Sequence, residues 1–164
     1  MKKFIAVLSL LTVGLFAYGF SNVGTTATSA VNNPYCGKTA RDFPCPPAEC
    51  PIGTVLDTDC YNECCEAYQS EMMIYYTNAC SQYTVAIDAY DKAVTAAFDR
   101  YDTCVAAATN AAQRQACRTT CSASIQSAAG TLAAVKGGID ATLGSLTGNQ
   151  LSIFDECVSH CCIP

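Results

Sequence analysis

The sequence has no tryptophan, one histidine and three methionines. With His160 as the only imidazole, a multi-histidine metal site is excluded. No CxxC occurs, which removes the zinc knuckle and the usual thiol–disulfide oxidoreductase motif. CxxCH is absent too, so there is no c-type haem attachment motif. No phosphate-cradling glycine loop, calcium loop or Ser-His-Asp order is present. Charged residues make up 14% of the chain, and nine Lys and Arg face fourteen Asp and Glu, a formal charge of −5. A chain without a basic excess lacks the electrostatic footprint of a nucleic-acid binder, and anionic lipid does not attract it. Beyond the first segment no apolar run approaches the roughly 20 residues a membrane helix needs. Glycine and proline are both missing from residues 54–129, and such a stretch favours helix.

Thirteen cysteines stand out, close to the ~8–10% level that marks a disulfide scaffold. The N-terminus sets their compartment. Lys2 and Lys3 precede an apolar run from Phe4 to Ala17, and small residues at Ala17 and Gly19 fit a cleavage site. Residues 1–19 therefore read as an export signal peptide, too short in its apolar part to span a bilayer. Cleavage would remove two lysines, taking the charge from −5 to −7, and would leave about 145 residues, enough for one domain with one modest core. Behind such a signal, in the periplasm, the cell envelope or outside the cell, paired cysteine is the default. Thirteen is odd, so at least one sulfur is free, metal-bound or paired between chains.

Residues 20–53 form a leader followed by an irregular segment. Five of the six prolines fall between residues 34 and 53, together with Cys36, Cys45 and Cys50. Residues 54–164 read as the helical, cysteine-rich domain. Asp57, Thr58 or Asp59 can cap the first helix, and Gly130 marks a stop. A seam with alternating gaps of three and four runs through Met73, Tyr76, Cys80, Tyr83, Ile87, Tyr90, Val94, Ala97, Tyr101, Cys104, Ala108 and Ala111. It reads as the buried face of a bundle helix, or as a coiled coil between chains. Breaks are conceivable at Thr77-Asn78, Asp91-Lys92 or Thr109-Asn110. Gly137-Gly138 reads as a hinge between weak helical turns, and a last helix starts at Asn149 or Ser152 and reaches Cys162.

Three clusters share one spacing: Cys60-x3-Cys64-Cys65, Cys117-x3-Cys121 and Cys157-x3-Cys161-Cys162. Residues four apart lie one turn apart on one helix face, so two antiparallel helices can be stapled twice. The pairs Cys117–Cys161 and Cys121–Cys157 share a centre at residue 139, beside Gly137-Gly138, and are the expected disulfides. This spacing resembles the paired-CxxxC hairpins of small mitochondrial intermembrane proteins. A second centre near Asp91-Lys92 would pair Cys80 with Cys104 and Cys64 with Cys121. The adjacent cysteines at 64/65 and 161/162 point about 100° apart on a helix and can each tie it to two neighbours. Cys36, Cys45 and Cys50 are candidate partners for Cys60, Cys65 and Cys162.

The expected fold is all-α: a disulfide-stapled helical bundle or elongated helical hairpins, with an irregular Cys/Pro-rich N-terminal segment. The expected role is a non-enzymatic exported scaffold with an unknown protein partner, forming homo-oligomers through the spare cysteine and the seam. Two alternatives stand beside it. The cysteine count and CxxxC spacing over residues 60–162 are similar to bacterial copper-storage bundles. That resemblance implies Cu(I) held by Cys60, Cys64, Cys117, Cys121, Cys157 and Cys161. The proline-rich loop cysteines, the tyrosine-filled seam and the scarcity of methionine depart from it. The other alternative is a secreted effector or inhibitor on the same scaffold. A Cys–His nucleophile from His160 with Cys157 or Cys161 has no preformed cleft on a terminal helix. The carboxylates Asp88/Asp91 and Asp99/Asp102, repeating at helical spacing, read as a solvated face.

Overall fold

The computed structural model describes residues 33–164, and the expected signal peptide with residues 20–32 of the leader lies outside them. Two long helices dominate, α1 (Thr58–Ala107) and α2 (Ala111–Ser159), packed as an antiparallel hairpin. At about 1.5 Å per residue the 50-residue α1 is a rod of about 75 Å. Two short strands, β1 (Val55–Leu56) and β2 (Cys162–Ile163), close the open end. They pair antiparallel, Val55 opposite Ile163 and Leu56 opposite Cys162. The fold is the all-α, elongated-hairpin form of the expected architecture, with residues 33–53 laid along α1 as an irregular strap.

Local chemistry explains the boundaries. Gly53, at φ +94°, turns the strap into β1 through a left-handed conformation that a side chain would disfavour. Asp57 then caps α1, its carboxylate accepting from the Asp59 and Cys60 amides. The hairpin bends at residues 108–110, so of the candidate breaks Thr109-Asn110 is the one used. Asn110 Oδ1 accepts from the Gln113 amide at 2.9 Å, while Gln113 Oε1 accepts from the Thr109 amide at 2.7 Å. This reciprocal pair is a capping box with its return bond shifted one residue outward. Within the helices, threonine hydroxyls at 84, 95, 103, 119, 131 and 142 return to the carbonyl four residues back, so these β-branched polar residues leave no donor unpaired.

Several boundaries differ from expectation. Gly130 does not stop the helix, Gly137-Gly138 is not a hinge, and no new helix starts at Asn149 or Ser152, because α2 is continuous from Ala111 to Ser159. It also ends before Cys162, which lies in β2. A glycine in a helix interior costs only about 1 kcal/mol against alanine, too little to break a helix whose ends are tied to a neighbour.

The core is concentrated near the open end. Phe43, Cys64, Tyr68, Met72, Phe154, Val158 and Cys161 form one buried cluster joining strap, α1 and α2. Phe154 takes the edges or faces of Tyr61 and Tyr68, with ring centroids 5.9 and 5.7 Å away. Tyr35, Ala79, Ile139 and Leu143 form a second cluster further along the rod. Gln150, buried between the helices, donates to the Tyr75 hydroxyl at 2.7 Å. Along the seam, Ala97 is buried and Tyr76, Tyr83, Tyr90, Val94 and Tyr101 are half-buried. Met73, Cys104 and Ala111, assigned to the seam, are exposed, and Met72 takes the buried place beside Met73; the seam also does not run unbroken to Ala111, because α1 ends at Ala107.

A methyl group at Gly137 would meet nothing within 4 Å. Gly137→Ala is therefore expected to stabilise the fold by about 0.5–1 kcal/mol. Phe154→Ala should destabilise it by about 3–5 kcal/mol. Urea midpoints at constant m-value measure both, and a destabilising Gly137→Ala would contradict the open-space placement.

Candidate functional site

The chemistry of this chain is in its sulfur. Six disulfides occur: Cys36–Cys80, Cys45–Cys65, Cys50–Cys162, Cys60–Cys161, Cys64–Cys157 and Cys104–Cys117. Three of them, Cys60–Cys161, Cys64–Cys157 and Cys104–Cys117, join α1 to α2 or the residues just after it. They share one centre, midway between residues 110 and 111, at the bend. The expected pairs Cys117–Cys161 and Cys121–Cys157 are not formed. Cys117 joins Cys104 across the bend, Cys161 and Cys157 join the first turns of α1, and Cys121 is free. The reason is the bend itself: with the turn at 108–110 rather than at 139, Cys117 and Cys161 lie at opposite ends of one helix system. The pairs Cys80–Cys104 and Cys64–Cys121 fail for the same reason.

Adjacent cysteines divide their partners. Cys64 bonds to α2 while Cys65 bonds to Cys45 of the strap. Cys161 bonds to α1 while Cys162 bonds to Cys50. The ~100° step between neighbours on a helix aims one sulfur at the facing helix and the other at the strap. Of the strap cysteines, Cys45 and Cys50 take partners from the anticipated set, and Cys36 takes Cys80 instead.

At the open end the Cys60–Cys161 and Cys64–Cys157 bridges stack one helical turn apart. The sulfurs of Cys60, Cys64 and Cys161 lie within 4.8 Å of one another, and Cys64 Sγ is 3.7 Å from Cys161 Sγ. Cys64 and Cys161 are 4% and 1% exposed, so water is largely excluded. The β-ladder backs this clasp, and the Asp57 amide donates to the Cys161 carbonyl at 2.8 Å. An open groove of about 370 Å³ lies beside it, walled by Tyr68, Glu71, Gln150 and Phe154. The six cysteines of the copper reading do not form one site. Cys60, Cys64, Cys157 and Cys161 meet at the open end. Cys117 and Cys121 are 40 and 36 residues up α2 from Cys157, more than about 50 Å away at helical rise.

His160 caps the C-terminus of α2, exposed, between Cys157 and Cys161, both of which are held in disulfides. No thiolate is left beside it for nucleophilic chemistry. Asp88, Asp99 and Asp102 are exposed on the outer face of α1.

A second cluster, which sequence reading missed, anchors the start of the strap. Tyr35 is buried, its ring edge-on to Tyr83 at 5.4 Å, and its hydroxyl donates to Asp140 Oδ1 at 2.5 Å. Lys136 Nζ, 2.6 Å from Asp140 Oδ2, lies 5.9 Å from the Tyr35 ring centroid. Asn33 donates to the Cys80 carbonyl and to Thr84 beside the Cys36–Cys80 bridge. The Lys136/Asp140 spacing of four was the available signal; the partner 105 residues away was not. Burial, and then the neighbouring Asp140, push the Tyr35 phenol up to about 12 from its ordinary 10. A raised folded-state value means that Tyr35 contributes its full stability below pH 10 and loses it as pH rises through 12. Ultraviolet titration of the wild type against Tyr35→Phe should show one tyrosine ionising near pH 12. Ionisation at pH 10 would place that ring in water.

The chain matches no protein-family model, no curated protein sequence and no solved structure.

Proposed function

We propose that this protein is an exported, non-enzymatic scaffold: a covalently locked helical rod that spaces or docks protein partners in an oxidising compartment. The observation that carries the proposal is the commitment of twelve of the thirteen cysteines to disulfides, leaving Cys121. Such bridges persist outside the reducing cytosol and lend ~2–4 kcal/mol each when unstrained. The signal-like residues 1–19 supply the route of export. The described helices contain no segment long and apolar enough to cross a membrane.

The shape supports a docking role. Between residues 81 and 138 only Ala97 and Cys117 are buried, so the distal arm presents most of its surface, including Val85 at 67% exposure. A partner protein or a second copy of the chain would be met there, and the free Cys121 lies on the same arm. The strap and core occupy the opposite end.

Two measurements test the proposal. Intact mass of protein taken from its native compartment should show one alkylation adduct before reduction and thirteen after. Many reactive thiols before reduction would contradict it. Deleting residues 84–97 together with 124–137 shortens both helices equally about the bend, by about 21 Å. This variant should fold with its disulfides intact yet fail to replace the full-length protein in cells. Full replacement would show that arm length is not what the protein uses.

A further inference from the structure

We propose that the open-end clasp is a redox-gated soft-metal site: when Cys60, Cys64, Cys157 and Cys161 are reduced, their thiolates bind one Cu(I) ion, and closing the two disulfides expels it. The inference goes beyond the scaffold role and stands independently of it. Three observations carry it. First, the four sulfurs already converge: those of Cys60, Cys64 and Cys161 are mutually within 4.8 Å, and Cys157 is bonded to Cys64. Second, the spacing suits a metal. With metal–thiolate bonds of about 2.3 Å, ligand sulfurs sit about 3.8 Å apart in a tetrahedron and about 4 Å apart in a trigonal plane. Cys64 and Cys161, which are not bonded to each other, are 3.7 Å apart. Third, the site is sheltered and framed. Cys64 and Cys161 are almost fully buried, and aromatic and aliphatic neighbours Tyr68, Phe154 and Val158 surround them in one cluster. An all-thiolate set in such a pocket selects Cu(I) over hard cations.

The remaining architecture keeps the ligands together once the bridges open. Cys60 and Cys64 are held one turn apart by the capped start of α1, and Cys157 by the last turn of α2. Cys161 is placed by the Asp57 amide and the β-ladder. The Asp57 cap and the helical turns do not depend on the clasp sulfurs themselves.

Two molecules of a dithiol reductant open the two bridges, each delivering two electrons and two protons and leaving as its own disulfide. Cu(I) then displaces thiol protons to solvent as the sulfurs ligate. In the reverse direction two molecules of a disulfide oxidant each take two electrons from a pair of thiolates and two protons from solvent and leave as dithiols, so that Cys60–Cys161 and Cys64–Cys157 re-form and the ion is freed with its oxidation state unchanged.

The test uses the full chain, reduced by a phosphine and kept anaerobic, titrated with Cu(I) against a chromophoric Cu(I) chelator. One equivalent should remain on the protein at chelator concentrations that strip the rest. Cys60→Ser/Cys161→Ser should weaken that equivalent at least 100-fold, while Cys36→Ser/Cys80→Ser keeps it. In case the first variant does not fold when reduced, alkylation of the singly loaded wild type gives a second reading. Cys60, Cys64, Cys157 and Cys161 should be protected and the other nine cysteines labelled. Retention of the tight equivalent by Cys60→Ser/Cys161→Ser, or protection of a different set of cysteines, would overturn the proposal.

Discussion

Sliding α2 along α1 by a single residue would break Cys60–Cys161, Cys64–Cys157 and Cys104–Cys117 together, because all three are equidistant from the bend between residues 110 and 111. That shared centre is the constraint on which the rest of the molecule depends. Two alanine-rich helices with a narrow buried seam have many near-equivalent alignments, since small side chains discriminate poorly between registers. Sulfur bridges at both ends of the pair remove the alternatives. Once the register is set, Phe154 meets Tyr61 and Tyr68, Gln150 meets Tyr75, and the β-ladder closes.

The strap turns this two-layer hairpin into a three-layer structure over half of its length. A pair of helices alone leaves the outer sides of the tyrosine seam wet. Tyr35 and Phe43 cover that seam with aromatic edges, and Gln69 and Tyr61 donate to the strap carbonyls of Phe43 and Pro46. Proline suits such a segment, because it forms no helix and loses little further entropy when pinned. The distal arm has no such cover, which is why its buried residues dwindle to Ala97 and Cys117.

The helical content, the irregular strap, the Asp57 cap and the divided partners of adjacent cysteines were all legible in the sequence. The register was not, for a definite reason. CxxxC clusters with identical spacing fit one another in any combination, so spacing alone admits centres at 139, near 92 and at the true bend. Gly137-Gly138 drew the centre towards 139, although glycines in a helix tethered at both ends do not break it. The competing signal was Asn110 with Gln113 three residues on, an N-cap with a glutamine return, which costs no glycine or proline and is easily passed over. Only the centre at this bend seats three pairs at once, with Cys104 breaking the tie. The Tyr35–Asp140 anchor was beyond sequence reading, since nothing local marks a phenol as the partner of a carboxylate on the far helix.

Peptide mapping of the oxidised protein, digested at acid pH to prevent disulfide exchange, tests the shared centre most directly. The account predicts linked peptides carrying Cys104 with Cys117, and the first turns of α1 with Cys157 and Cys161. A peptide joining Cys117 to Cys161, or Cys121 to Cys157, would move the bend to residue 139 and contradict it.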